Sequence, residues 1–241
     1  LLHCDGDNDS TTFTDSTGLH TATASGALLK TATKKFGSAS GFFDGSNDYV
    51  SVPYSTDFDF GSGDFTVECW YYPLSSLADS YIISINYETT SGSNYAQCIL
   101  EGANGGGSAM RVSAGSYDGG GAQYTGYSSD IALNTWHHIA AVKHNDVLTC
   151  YVNGTATSSP QTMSGALVNS SNGILIGKRH VGTHAHCYLD EIRVVKGVAK
   201  YTTNFTPPTA PFDPVTGEGT AGRLVLPNET RLAARSGNLG E

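Results

Sequence analysis

The sequence predicts an all-β domain, a sandwich or jelly roll, followed by a short extended C-terminal tail. Three observations point there. Charged residues make up only 15% of the 241 residues, while Gly (29) and Tyr (13) are abundant beside many Ser and Thr; such a composition suits strands joined by turns. Short segments of alternating apolar and polar residues recur with turn signals between them, the pattern of a sandwich or jelly roll. No stretch longer than about eight residues carries a helical period. The length fits one large β domain with an appendage, and a core of that size needs no covalent staple.

Taken along the chain, "LLHCD" opens an N-terminal strand. "YVSVP" (49–53) puts Val50 and Val52 on one face. "FTVECWYY" (65–72) sets Phe65, Val67, Cys69 and Tyr71 together, with Thr66, Glu68, Trp70 and Tyr72 opposite. Ser76–Asp79 has room for a single helical turn. "YIISINY" (81–87), "YAQCILEG" (95–102) and "AMRVSAG" (109–115) follow. "WHHIAAVK" and "VLTCYVNG" flank His144-Asn145-Asp146, residues that tolerate left-handed backbone, which predicts a hairpin. Asn153-Gly154 predicts the next tight turn. "GILIGKR" (173–179) and "YLDEIRVV" (188–195) complete about ten strands. In the last of these a strict period of two places Tyr188, Asp190, Ile192 and Val194 on one face and Leu189, Glu191, Arg193 and Val195 on the other. Asp190 then lies among apolar residues, and a buried carboxylate must be paired, hydrogen-bonded or metal-bound. "NFTPPTAPFDP" (204–214) should run extended along the surface. The domain is expected over residues 1–213, with a Gly-rich linker and tail at 214–241. "RLVLP" in that tail reads as a short strand for a neighbouring chain.

A net charge of −9 without a basic stripe argues against nucleic acid. No apolar run approaches membrane-spanning length, so membrane insertion is not expected. No signal peptide is recognisable and the chain begins without Met, so it reads as a processed chain or a portion of a longer one. Cys4, Cys69, Cys98, Cys150 and Cys187 contain no CxxC pair. Cys69 and Cys150 alternate with apolar neighbours, and free buried thiols are expected throughout. The glycine-rich "GANGGGS" (102–108) and "DGGGAQ" (118–123) are not followed by the Gly-Lys-Ser/Thr of a phosphate-binding loop and open no helix, so they read as loops.

"LLHCDGDNDSTTFTDSTG", "KKFGSASGFFDGSNDYVSVPYSTDFDFGSGDFTVECWYYP", "NTWHHIAAVKHNDVLTCYVNG", "ILIGKR" and "YLDEIRVVKGVAKYTTNFTPPTAPF", in that order over Leu1–Phe212, resemble the laminin-G-like (concanavalin A-like) jelly-roll family. The wording is most similar to the version found in bacteriophage tail and other virion proteins and in marine microbial surface proteins. The resemblance implies two curved antiparallel sheets packed face to face, with Trp136 and Asn153-Gly154 in the family's hairpin. Residues after Asp213 lie outside it.

Some relatives on that fold are glycoside hydrolases with a Glu-x-Asp-x-x-Glu strand. Here none of Glu68, Glu88, Glu101, Glu191, Glu218, Glu229 and Glu241 begins that pattern, no Gly-x-Ser-x-Gly elbow occurs, and no catalytic residue is expected. The resemblance also implies a calcium position where the N-terminal segment meets the last strand, with Asp5 and Asp190 as its ligands. The alternative is that Asp190 accepts hydrogen bonds from backbone N–H groups of the 44–48 turn or from a hydroxyl, and this is favoured. Asp44, Asn47 and Asp48 read as a turn. His180, His184, His186 and Cys187 have the donor types for zinc but the sequence of a loop, and His137-His138 reads as structural. Trp70, Tyr72, Tyr117, Tyr124 and Tyr127 are the candidate ligand-binding residues, since flat apolar rings beside hydroxyls and amides suit sugars; packing or subunit contact is the competing role. Five Asn-x-Ser/Thr sequons, at Asn8, Asn153, Asn169, Asn204 and Asn228, matter only if the host glycosylates secreted proteins. The resulting expectation is a non-enzymatic virion protein, a phage tail fibre or capsid decoration, with a lectin-like domain for glycan adhesion. It would meet other virion or surface subunits through residues 215–241. The alternative is a secreted or cell-surface microbial carbohydrate-binding module with no virion role. Either places it on a virion or extracellular surface.

Overall fold

The computed structural model describes residues 1–76, 80–87, 96–106, 109–118, 121–163, 165–167, 170–179 and 182–213. The expected linker and tail at 214–241, with "RLVLP" and the subunit contact placed there, fall outside these residues, as does the 77–79 part of the expected helical turn.

The described chain is all-β. Its strands are β1 (Thr23–Ser25), β2 (Leu28–Lys30), β3 (Ser40–Asp44), β4 (Tyr49–Val52), β5 (Phe65–Pro73), β6 (Ser80–Ile85), β7 (Cys98–Gly106) and β8 (Ala109–Tyr117). They continue with β9 (Ala122–Tyr124), β10 (Ile131–Ala132), β11 (His137–His144), β12 (Val147–Val152), β13 (Thr155–Ala156), β14 (Gln161–Thr162), β15 (Ile174–Ile176) and β16 (His186–Lys196). These outnumber the ten expected because β1, β2, β9, β10, β13 and β14 have only two or three residues, too few to carry a readable period; β3 was not expected either, and the expected N-terminal strand is reduced to bridges from Leu2 to Ile192 and Asp15. One 3-10 turn, Thr56–Phe58, was not expected; the Ser55 hydroxyl caps it by accepting the Asp57 N–H at 3.2 Å.

Two antiparallel sheets pack face to face. The first runs β1-β4-β15-β6-β7-β8-β10, with β9 added on β8. The second runs β13-β12-β11-β5-β16-β3-β2, with β14 added on β12. Val67, Cys69 and Tyr71 of β5, Ile139 and Ala141 of β11, and Leu148 and Cys150 of β12 meet Ile83 and Ile85 of β6, Cys98 and Leu100 of β7, and Val112 and Ala114 of β8 in one apolar core. All five cysteines are buried free thiols, and burial pushes Cys4, Cys69, Cys98, Cys150 and Cys187 well above the ordinary thiol range. Both hairpin turns form as expected: Asn145 and Asp146, then Asn153 and Gly154, all take positive φ.

Two features depart from the sequence pattern. The first is a bulge in β16. Asp190 pairs with Trp70 and Arg193 with Glu68, so the register slips between them, and Glu191 sits at φ +50. Leu189 faces the core before the bulge, and Ile192 and Val194 face it after. The strict alternation therefore fails: Asp190 shares the outward face with Trp70, not the face of Ile192 and Val194.

The second is a strap. Residues 197–213 fold back over the outer face of the second sheet. Tyr201 and Phe205 stack with centroids 3.5 Å apart and 5° between planes, against His138 and Tyr151. Beneath them Glu68 is 0% exposed. Its Oε1 accepts from Arg193 Nε and Nη2 at 2.9 and 2.7 Å, and its Oε2 pairs with His138 Nε2 at 3.0 Å and accepts from Tyr201 Oη at 2.8 Å. The Arg193 guanidinium lies 3.7 Å from the Phe212 centroid. Phe212 N–H donates to Glu191 Oε2 at 2.7 Å. Every lone-pair direction of Glu68 is thus served, which makes a fully buried carboxylate tolerable.

Candidate functional site

The outer face of the first sheet carries a polar and aromatic cleft of about 400 Å³, lined by Tyr81, Glu101, Ser113, Tyr124, Thr125, Tyr127 and Arg179. Strand pairing builds it. Tyr81 lies opposite Glu101, and Glu101 opposite Ser113, so one row across β6, β7 and β8 points outward at the same level. Gly115 lies opposite Tyr124. A Cβ at Gly115 would stand 2.4 Å from Tyr124 Cε1, so only glycine lets that ring lie on the sheet. Ser113 Oγ and Tyr127 Oη both donate to Glu101 Oε1, at 2.7 and 3.1 Å. The Tyr81 and Tyr124 hydroxyls meet at 3.4 Å, and burial followed by that contact pushes the Tyr81 hydroxyl far above its ordinary range. Arg179, just beyond β15, places its guanidinium 5.2 Å from the Tyr81 centroid. Tyr127 is 43% exposed and forms the outer wall. The volume lies in the range of ligand sites, and the lining combines ring faces with a carboxylate, hydroxyls and a guanidinium.

The structure divides the five expected ligand-binding residues. Tyr124 and Tyr127 line the cleft. Tyr117 shares the outward face of β8 with Ser113 but sits four residues on, outside the lining. Trp70 and Tyr72 belong to the other sheet. Trp70 as an exposed sugar platform is overturned: it is 5% exposed, with Lys35 Nζ 3.8 Å above its ring and Phe36 and His138 edge-on at 5.9 and 5.3 Å. The chain around Lys35 and Phe36 covers it. Tyr72 is half-buried in an outward aromatic row, 5.8 Å from Tyr188 and 5.3 Å from Trp136. The sequence reading missed Tyr81, Glu101, Ser113, Thr125 and Arg179. The signal available for them was the outward parity of "YIISINY", "CILEG" and "AMRVSAG", and it is scrambled at Tyr81 by a register shift before Ile83.

Asp190 is hydrogen-bonded. Its Oδ2 accepts the N–H groups of Lys35 and Phe36 at 2.8 and 3.1 Å, and its Oδ1 accepts that of Glu191 at 2.9 Å. The donors are those of the 35–36 segment rather than the 44–48 turn, where Asp44 and Asp48 instead hold their own loop. Asp5 Oδ1 accepts both the N–H and, at 3.0 Å, the hydroxyl of Ser38. Asp5 and Asp190 therefore each pin the 35–38 segment, with N–H donors aimed at their oxygens. Among the described residues no group of three or more His, Cys, Asp or Glu is gathered as a metal cluster. His180 lies outside the described residues, and His186 Nδ1 meets Ser75 Oγ at 3.1 Å.

Burial pushes the Asp190 carboxyl up to about 7, against the pull of the Phe36 and Lys35 N–H groups. The folded chain therefore holds the Asp190 proton more tightly than the unfolded chain, whose pKa is about 3.9. This contribution to stability is complete below about pH 4 and is lost as pH rises to about 7. Urea midpoints of wild type and Asp190→Asn should accordingly shift in the variant's favour across that window. A difference that stays constant from pH 4 to 7 contradicts a buried, titrating Asp190.

Comparison with known proteins gives the fold a family. The model of the concanavalin A-like lectin/glucanases superfamily matches residues 44–200. Domain 4 of AbnA, an extracellular arabinanase from Geobacillus stearothermophilus solved in complex with arabinotriose, is similar with TM-score 0.55 and 15% identity over 77% of this chain and 87% of that one. A Trypanosoma rangeli sialidase gives TM-score 0.57 and 15% identity over 80% of this chain, which spans only 29% of the sialidase. The botulinum neurotoxin serotype D binding domain gives TM-score 0.56 and 14% identity over 80% of this chain and 47% of that one. At these identities the likeness is one of fold. Comparison with curated proteins found no match. The match covers more than half of the sequence, including β4 to β16 and every residue of the cleft: the chain belongs to the concanavalin A-like lectin/glucanases superfamily.

Proposed function

We propose that this domain is a non-enzymatic, lectin-like module that binds glycans in the cleft of Tyr81, Glu101, Ser113, Tyr124, Thr125, Tyr127 and Arg179. The observation that carries this reading is the cleft's composition: tyrosine faces for the apolar side of a sugar, with Glu101, Ser113 and Arg179 set between them for its hydroxyls. A relative of the same fold, the arabinanase domain, was solved with an arabinose oligosaccharide bound, which supports a carbohydrate ligand. The cleft lining contains one carboxylate, Glu101, whereas glycoside hydrolysis uses a pair; this supports binding rather than turnover. The wording of the sequence motifs supports a virion setting, a tail fibre or decoration protein exposed to host glycans. The same cleft serves a secreted or cell-surface microbial module.

Gly115→Ala tests the site with the least change in chemistry. The added methyl must displace the Tyr124 ring. Glycan affinity measured by calorimetry on any array-selected oligosaccharide should fall by about tenfold, the worth of one aromatic contact. Unchanged affinity in a folded Gly115→Ala protein removes Tyr124, and with it this cleft, from glycan binding.

A further inference from the structure

We propose that the glycan taken by this cleft carries a carboxylate, as a uronic or sialic acid does, and that Arg179 receives it. The inference rests on the glycan-binding reading above and names its ligand class.

Arg179 is half-buried, and its Nε is wholly buried without a hydrogen-bond partner. Its backbone N–H donates to Thr183 O at 3.0 Å, which fixes the root of the side chain. The guanidinium carbon lies 5.2 Å from the Tyr81 centroid, so the ring face attracts the cation while leaving its in-plane donors unused. Among the described residues no carboxylate pairs with Arg179. Glu101 lines the same cleft but spends Oε1 on Ser113 and Tyr127. The guanidinium is therefore anchored at its buried Nε side and only half-buried overall, with no protein carboxylate among the described residues to balance its charge. The planar fork of arginine matches a carboxylate with two parallel N–H bonds.

The cleft is thus polarised, with a cation under Tyr81 and hydroxyl-bound Glu101 facing the same space. A neutral sugar offers the Arg179 guanidinium only uncharged hydroxyl acceptors, weaker partners than a carboxylate. A doubly charged phosphate would bring excess charge against Glu101. A sugar with one carboxylate gives the guanidinium a charged acceptor in its own plane, and its hydroxyls can face the rest of the lining. The chain's net charge of −9 does not oppose this at contact range, since ions at physiological strength screen beyond about 8 Å.

The test uses the full chain on an array of matched glycans: neutral, uronate-bearing, sialylated and sulfated, with the carboxyl-reduced or methyl-esterified form of each acidic member. Wild type should bind carboxylated members and lose about tenfold to a hundredfold on esterification, the range for a charge-assisted hydrogen-bonded pair. Because that comparison changes only the ligand, a folding defect cannot imitate it. Arg179→Gln should bring the acid-to-ester ratio to about one while leaving weak binding of the ester. Equal binding of acid and ester by wild type, a ratio unaltered in Arg179→Gln, or a preference for sulfated members overturns the proposal and leaves glycan binding standing. A blank array overturns the lectin reading itself.

Discussion

Glu68→Ala should cost the domain about 3–5 kcal/mol, the usual effect of removing one partner from a buried ion pair. The loss follows from what remains: Arg193 retains its charge between the sheet and Phe212, and His138, 0% exposed, loses the carboxylate on Nε2 while its Nδ1 has no partner either. Tyr201 loses its acceptor, which loosens the strap at its first anchor. In a domain this size the melting midpoint should drop by about 6–20 °C. Glu68→Gln keeps the shape and part of the acceptor capacity, so its midpoint should fall between the two. A Glu68→Ala loss under about 1 kcal/mol in urea unfolding contradicts the network. Burial alone would raise the Glu68 pKa, but the hydrogen bond with His138 and the Arg193 cation hold it below its ordinary 4.5. Its contribution is therefore complete above the ordinary carboxylate range and is lost as pH falls through the depressed value. Asp190 runs in the opposite direction.

Gly154→Ala should cost about 2–4 kcal/mol, the sum of a left-handed backbone without glycine and a steric collision. Gly154 takes φ +78, and a Cβ there would sit 1.8 Å from Phe205 O, a backbone atom that has no rotamer by which to escape. Phe205 N–H donates to Gly154 O at 2.9 Å, and Asn204 Oδ1 accepts from Ala156 N–H at 3.0 Å. The turn and the strap are one joint. Limited proteolysis should cut the 197–213 segment in Gly154→Ala well before the sheets unfold, because the segment pairs with no strand and is held by side-chain packing and scattered hydrogen bonds. Wild-type resistance in that segment contradicts the joint.

The sandwich was legible in the sequence because its long strands alternate faithfully. Val67, Cys69 and Tyr71 face in, and Glu68, Trp70 and Tyr72 face out, as a period of two dictates. The turns at Asn145-Asp146 and Asn153-Gly154 were equally legible, since residues that tolerate positive φ announce them. Three things were not. The bulge at Glu191 moves Asp190 to the other face, and one extra residue leaves no mark in a binary pattern. Trp70 alternates outward as expected, yet the segment at Lys35 and Phe36 closes over it, a contact between residues 35 apart in sequence. The cleft draws Arg179 from beyond β15 to Tyr81 on β6 and Glu101 on β7, and only the strand order β15-β6-β7 brings them together. Tyr124 and Tyr127 were visible because tyrosines in a polar loop stand out by type alone; their partners were ordinary residues until paired.

Glycan-array binding of the intact protein beside its Tyr124→Ala variant tests recognition in this cleft most directly. Wild type should bind at least one glycan class, and Tyr124→Ala, folded by its urea transition, should lose about tenfold or more on the same members. A wild-type array that stays blank, or one that Tyr124→Ala reproduces at full strength, contradicts it.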